Sequence, residues 1–127
     1  MLGSIVNISS ITAQVTRPEL LAYSMAAAAM DQMTRSLALA LAPKGIRVNA
    51  VAFGSVMSAS LQAALKDQPD YRDLIVAGTP MNRIAAPAEV AEAVQFLASD
   101  AAGFITGQVL AVDGGRSLMD AVAAPAH

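Results

Sequence analysis

The chain has no cysteine and no tryptophan, a single histidine, and aromatic residues at only 4% of its 127 positions. Without cysteine there is no disulfide framework, no thiol nucleophile and no cysteine-type zinc site. The one histidine is the last residue, His127, so no Ser-His-Asp arrangement can be built. Charge is scarce too: 14% of residues, eight basic against ten acidic, for a net charge of −2. Lys44, Arg47, Lys66 and Arg83 are scattered along the chain, which leaves no basic stripe for phosphates and excludes nucleic acid as an expected partner. The most apolar stretch, Leu20 to Met30, is broken by Tyr23 and Ser24 and falls well short of the roughly 20 residues of a membrane helix. No basic region followed by an apolar one opens the chain. The expectation is a soluble chain with no membrane partner and no targeting segment, of a composition that suits the cytoplasm. What is present is a 55% hydrophobic composition built from Ala, Leu, Val and Met. That is enough for one packed domain over 1–127, with apolar surface left over for a partner.

Ser4 to Ile8, a β-branched run after Gly3, reads as a strand, and so does Arg47 to Ala52 after the punctuation Pro43-Lys44-Gly45. Between them Pro18 suits a first helical position, Glu19 follows, and Met30, Met33, Leu37 and Leu41 recur at spacings of three and four. The pattern predicts an amphipathic helix over 18–42. Asp31 and Arg35, four apart, are expected to pair on its other face. Pro87 and Glu89 open a second helix with Val90, Ala93, Val94 and Leu97 as its core stripe, ending near Ser99-Asp100. A third strand spans Val109 to Val112 and is closed by Asp113-Gly114-Gly115. Strand, helix, strand, helix, strand implies an α/β class with about three parallel strands and flanking helices. In the looser region, Met57, Leu61 and Leu65 allow a short helix. The segment with Asp67, Asp70, Tyr71, Asp73 and the two prolines Pro69 and Pro80 reads as a polar loop over a site. Those aspartates lack partnering histidines, so no metal site is expected. The tail from Ala121 to His127 is expected to fray.

The chemical signal lies at the end of the first strand, where Ser10 is followed thirteen positions later by Tyr23 near the start of the long helix. Ligands of open parallel sheets bind at the carboxyl ends of the strands, so this hydroxyl and this phenol can converge on one substrate oxygen. The bland reading is that Ser10 caps a turn and Tyr23 is an ordinary half-buried helix residue. Around this pair five ordered segments bear a resemblance: Gly3 to Ser10; Tyr23 at its spacing from Ser10; Lys44-Gly45-Ile46-Arg47-Val48-Asn49-Ala50-Val51; Gly54-Ser55-Val56-Met57-Ser58; and Ile105 to Gly115. Over almost its whole length the chain resembles the short-chain dehydrogenase/reductase family, in its carboxyl-terminal half.

The resemblance implies a partial Rossmann-like sheet and NAD(P)(H)-dependent interconversion of an alcohol and a carbonyl. It makes Tyr23 the general acid/base, Ser10 the group that polarises the carbonyl, and Phe53, Gly54, Val56 and Ser58 the residues beside the nicotinamide. It also implies a homo-oligomer, a dimer or tetramer, through the helix over 18–42, where Ala26 to Ala29 permit close approach. Three departures bear on activity. The family's Tyr-x-x-x-Lys reads Tyr23-Ser24-Met25-Ala26-Ala27, so the lysine position is Ala27. A phenol holds its proton to about pH 10, and bringing that to neutrality takes about 4 kcal/mol of nearby positive charge, which Ala27 does not supply. Phe53-Gly54 stands where the family commonly has Pro-Gly. No glycine turn of the kind that cradles a dinucleotide's pyrophosphate opens a helix after a strand. The expectation is a truncated, inactive form that binds neither NAD nor NADP by itself and lacks an amino-terminal half. Two other readings stay open: a cofactor-independent hydrolase or lyase reusing the strand-end pocket, and a non-enzymatic self-associating module.

Overall fold

A computed structural model describes residues 2–122. Three parallel strands, β1 (Gly3–Ser10), β2 (Ile46–Phe53) and β3 (Val109–Val112), form one sheet in the order β1-β2-β3. The β1–β2 ladder runs in full register from Gly3 opposite Ile46 to Ser10 opposite Phe53, whereas β3 meets only Ala50 to Phe53. Four helices connect them: α1 (Leu21–Leu41), α2 (Ala59–Asp67), α3 (Asp70–Ala77) and α4 (Pro87–Ala98). The expected α/β class, with three parallel strands and flanking helices, is the one observed.

Strand alternation assigns the two faces of the sheet. Asn7 donates to Thr34 Oγ1 at 3.0 Å and Ser9 to the Ala27 carbonyl, so the odd positions of β1 meet α1. Ser4 donates to the Leu97 carbonyl, and Val6 packs with Val51 and Leu97, so the even positions meet α4. Covered on both faces, β2 is buried from Val48 to Ala52. This is the continuous apolar pattern of a central parallel strand. The polar exception, Asn49, is fully buried and satisfied: it donates to the Ile105 carbonyl and accepts from the Gln108 N–H. Arg47 donates to the carbonyls of Leu97, Ser99 and Ile105, placing a cation at the negative end of α4.

Several expectations need correction. The helix expected from residue 18 begins with a single 3₁₀ turn over Pro18–Leu20 and becomes α-helical at Leu21, with a second 3₁₀ turn over Ala42–Lys44. Its buried stripe is Ala27, Asp31, Thr34 and Ala38, while Met33 lies on the exposed side. Asp31 therefore faces inward, and Arg35 bonds to Gln32 instead of pairing with it. Residues 70–77 are helix rather than loop: Asp70 and Asp73 occupy the first turn of α3, where carboxylates oppose the positive helix end. None of the described helices is long and apolar enough to cross a membrane. His127 and most of the expected fraying tail lie outside the described residues.

Candidate active site

The carboxyl ends of β1 and β2 open into a cleft of about 780 Å³. Ser10 and Tyr23 both line it, together with Phe53 and Gly54. Ser10 is buried at the last position of β1 and also caps the 3₁₀ turn Ile11–Ala13. Its Oγ accepts from the Thr12 N–H at 3.2 Å and the Thr12 hydroxyl at 3.0 Å. Both of its acceptor sites are thereby used and its own proton stays free to donate. The capping role and a role in the cleft are thus compatible. Tyr23, in the first turn of α1, is 54% exposed, with its ring on the cleft wall.

The remaining two residues expected beside a nicotinamide do not line this cleft. Val56 makes a one-residue bridge to Ala85, and Ser58 caps α2 by accepting from the Leu61 N–H at 3.2 Å. Sequence reasoning placed the segment with Tyr71 over the site, though as a loop, and missed Arg116 as a lining residue. Tyr71, Leu74 and Ile75 from α3 line the same cleft as Ser10, and so do Ser55 and Arg116, with Arg116 Nη1 donating to Ser55 Oγ at 3.0 Å. The signal for α3 was legible: Pro69 followed by acidic residues at its start is a helix-opening pattern.

The wall carrying Arg116 is built by the turn after β3. Gly114 and Gly115 both adopt positive φ, and a Cβ on Gly114 would lie 2.7 Å from Thr79 Cγ2. Asp113 fixes this turn, accepting from the N–H groups of Gly115 at 3.0 Å and Ser117 at 2.8 Å. Burial pushes its carboxyl upward, but these bonds outweigh burial and hold it below its ordinary value. On the far side of the turn a smaller cavity of about 360 Å³ contains the Arg83–Glu89 ion pair. Glu89 also accepts from the Ala86 N–H at 2.9 Å. The bonds from Arg83 and then Ala86 lower the Glu89 carboxyl to about 2.

The stripe of α1 beneath Tyr23 is less complete. Ala27 is buried on it, and on either side of Ala27 lie two buried polar atoms, Ser24 Oγ and Asp31 Oδ1, with no hydrogen-bond partner among the described residues.

A family profile described as enoyl-(acyl carrier protein) reductase matches residues 1–117. The chain is 50% identical over 113 residues to cis-4-hydroxycyclohexanecarboxylate dehydrogenase of Sinomonas cyclohexanicum, covering 89% of this chain and 44% of that protein. Among solved structures it superposes on the ligand-free aldohexose dehydrogenase of Thermoplasma acidophilum with a TM-score of 0.89 at 37% identity, covering 97% of this chain and 51% of that one. A gluconate 5-dehydrogenase from Burkholderia cenocepacia J2315, in complex with NADP and tartrate, superposes with a TM-score of 0.87 at 33% identity, over 94% and 46% of the two chains. The chain belongs to the short-chain dehydrogenase/reductase family, whose structures are Rossmann-like. It spans less than half the length of the first of these relatives and about half that of the second.

Proposed function

We propose that this chain is the active-site half of an NAD(P)(H)-dependent oxidoreductase that interconverts an alcohol and a carbonyl. The observation that carries the reading is the joint placement of Ser10 and Tyr23 on one cleft at the carboxyl ends of β1 and β2. With both acceptor sites taken by Thr12, the Ser10 hydroxyl donates to the substrate oxygen and holds it in place. The Tyr23 phenol gives its proton to that oxygen as the carbonyl becomes an alcohol, and takes it back in the other direction. The wall at Phe53-Gly54 fits the nicotinamide end of the cofactor, since Gly54 carries no side chain into the narrow space against Asp113 and Ile11. The nicotinamide, when bound, supplies or accepts the hydride. Val56 and Ser58 follow on the same segment, and the resemblance assigns them to the nicotinamide too, although neither lines the cleft. No described glycine turn opens a helix as a seat for its pyrophosphate, so the cofactor needs an amino-terminal half. By itself the chain is inactive and binds NAD or NADP no more tightly than about millimolar.

The exposed face of α1 carries Leu21, Met25, Met33 and Leu39, which supports a homo-oligomer, a dimer or tetramer, through this helix. The cysteine-free composition supports a cytoplasmic setting.

The test joins this chain, with Ala27→Lys, to an amino-terminal dinucleotide-binding half. Alcohol-dependent reduction of NAD or NADP is expected from the joined protein and is expected to vanish with Tyr23→Phe. The Ala27→Lys chain alone should show none. A joined, folded protein without turnover overturns the reaction. Micromolar cofactor affinity of the unaltered chain in calorimetry overturns the need for the second half.

A further inference from the structure

The charged residues lining the cleft are Arg17, Glu19 and Arg116. Arg17 and Glu19 neutralise one another across 2.7 Å at the rim, with more than half of each side chain exposed. Arg116 is different. It is half-buried, its one side-chain hydrogen bond goes to the uncharged Ser55 hydroxyl, and among the described residues no carboxylate lies within ion-pair distance of it. The nearest acid in sequence, Asp113, is committed: its two oxygens take the N–H groups of Gly115 and Ser117. The cleft therefore holds one uncompensated positive charge, fixed on one side by a rigid turn and on the other by Ser55, with the remaining donors of its guanidinium uncommitted. The rest of the lining is largely apolar, with Leu20, Leu74 and Ile75 among it.

A planar cation with free donors in an apolar, partly enclosed pocket is a recognition element for a carboxylate on an apolar skeleton. We propose that Arg116 is a specificity-determining residue that anchors the carboxylate of the substrate, so that the cleft selects hydroxy and oxo acids over neutral alcohols and carbonyls. The proposal rests on the reading that the substrate's reacting oxygen sits at Ser10 and Tyr23. Ser55 is a positioning residue, acting through the orientation of Arg116. Selectivity follows from both sides of the contact: an uncharged analogue leaves the guanidinium partly desolvated and unpaired, and so binds worse than its shape alone would suggest.

The test is a binding measurement on this chain that needs no cofactor and no turnover, by titration calorimetry or ligand-observed NMR. Cyclohexanecarboxylate is compared with cyclohexanecarboxamide, which has the same skeleton and no charge, and with inorganic pyrophosphate. The carboxylate is expected to bind at least about tenfold more tightly than the amide. Arg116→Gln should erase that preference, Arg116→Lys should keep part of it, and Ser55→Ala should reduce it. Thermal melts of each variant show that the fold is intact. Equal binding of carboxylate and amide, the absence of binding by either, or a preference that survives Arg116→Gln overturns the proposal. Pyrophosphate bound more tightly than the carboxylate, in an Arg116-dependent way, also overturns it by assigning the cation to a cofactor phosphate. In the joined protein, turnover that favours neutral alcohols sinks the carboxylate anchor and leaves the reaction standing. Arg116-dependent carboxylate binding without turnover does the reverse.

Discussion

The structures behind the two walls of the cleft are built on opposite principles. On the β3 side, the acids in and behind the turn are committed, and Arg116 alone keeps free donors. Asp113 takes two backbone N–H groups, Glu89 takes Arg83 and the Ala86 N–H, and Gly114 sits where only a glycine fits against Thr79. On the α1 side, the stripe beneath Tyr23 buries Ser24 Oγ and Asp31 Oδ1 without partners, on either side of Ala27. Both acids on the first side are matched. The second departs from the family's pattern at Ala27, and its unmatched polar atoms lie along the same stripe. An acid is therefore a structural asset on one wall and a cost on the other.

The comparison can be broken by substitution. The largest effect is expected at Gly114→Ala. Its left-handed backbone and the 2.7 Å approach to Thr79 should together cost at least about 2 kcal/mol in denaturant unfolding, and a loss below half of that would show that the turn is yielding. Truncating the two acids then gives opposite signs. Asp113→Ala strands two backbone donors and should destabilise by about 2 kcal/mol, whereas Asp31→Ala removes an unpartnered buried atom and should be neutral or stabilise by up to about 1 kcal/mol. Losses of equal size at both positions would erase the distinction between the walls. Glutamate at Met25 and Met33, on the outer face of α1, should leave the melt nearly unchanged but shift light scattering toward the 13.0 kDa single chain. An unchanged mass would place any self-association elsewhere.

The smallest effect is in acid. The Glu89 carboxyl is lowered from its ordinary 4.5 to about 2 in the folded chain, so its stabilisation is fully present above pH 4.5 and is lost as pH falls toward 2. Asp113, lowered from its ordinary 3.8, adds a loss of the same sign below that pH. Glu89→Gln should flatten the stability profile between pH 4.5 and 2, and a profile as steep as that of the unaltered chain would show that the ion pair contributes nothing.

Much of this arrangement was legible before any coordinates. Val109 to Val112 was bounded correctly because a short apolar run met an Asp-Gly-Gly stop, and α4 because Pro87 and Glu89 are a start signal for a helix. The pairing of Ser10 with Tyr23 on one cleft followed from where parallel strands end. What failed were judgements that composition alone cannot make. Pro69 and the aspartates after it read as a polar loop over a site, although at a helix start the same residues are favourable. Asp31 was placed outward because it is charged and four residues before an arginine. Its side was in fact decided by β1, which anchors α1 through Asn7 to Thr34 and Ser9 to Ala27. Arg116 was invisible as a site residue because only the folded turn brings it beside Ser55.

The fully parallel ladder also has a kinetic consequence. Each strand can find its neighbour only after the intervening helical connection has been threaded across the sheet, so little of the sheet can zip up locally and folding is expected to be slow for a chain of this size. During that delay β1 is the hazard. It is eight residues long with no charge and no proline, lies at the end of the strand order, and carries half-exposed Ile5 and Ile8. Such an edge offers a template to any other extended chain. Yield on refolding should therefore fall steeply as protein concentration rises, and a lysine at Ile5 or Ile8 should recover more soluble protein than any substitution on the short strand β3.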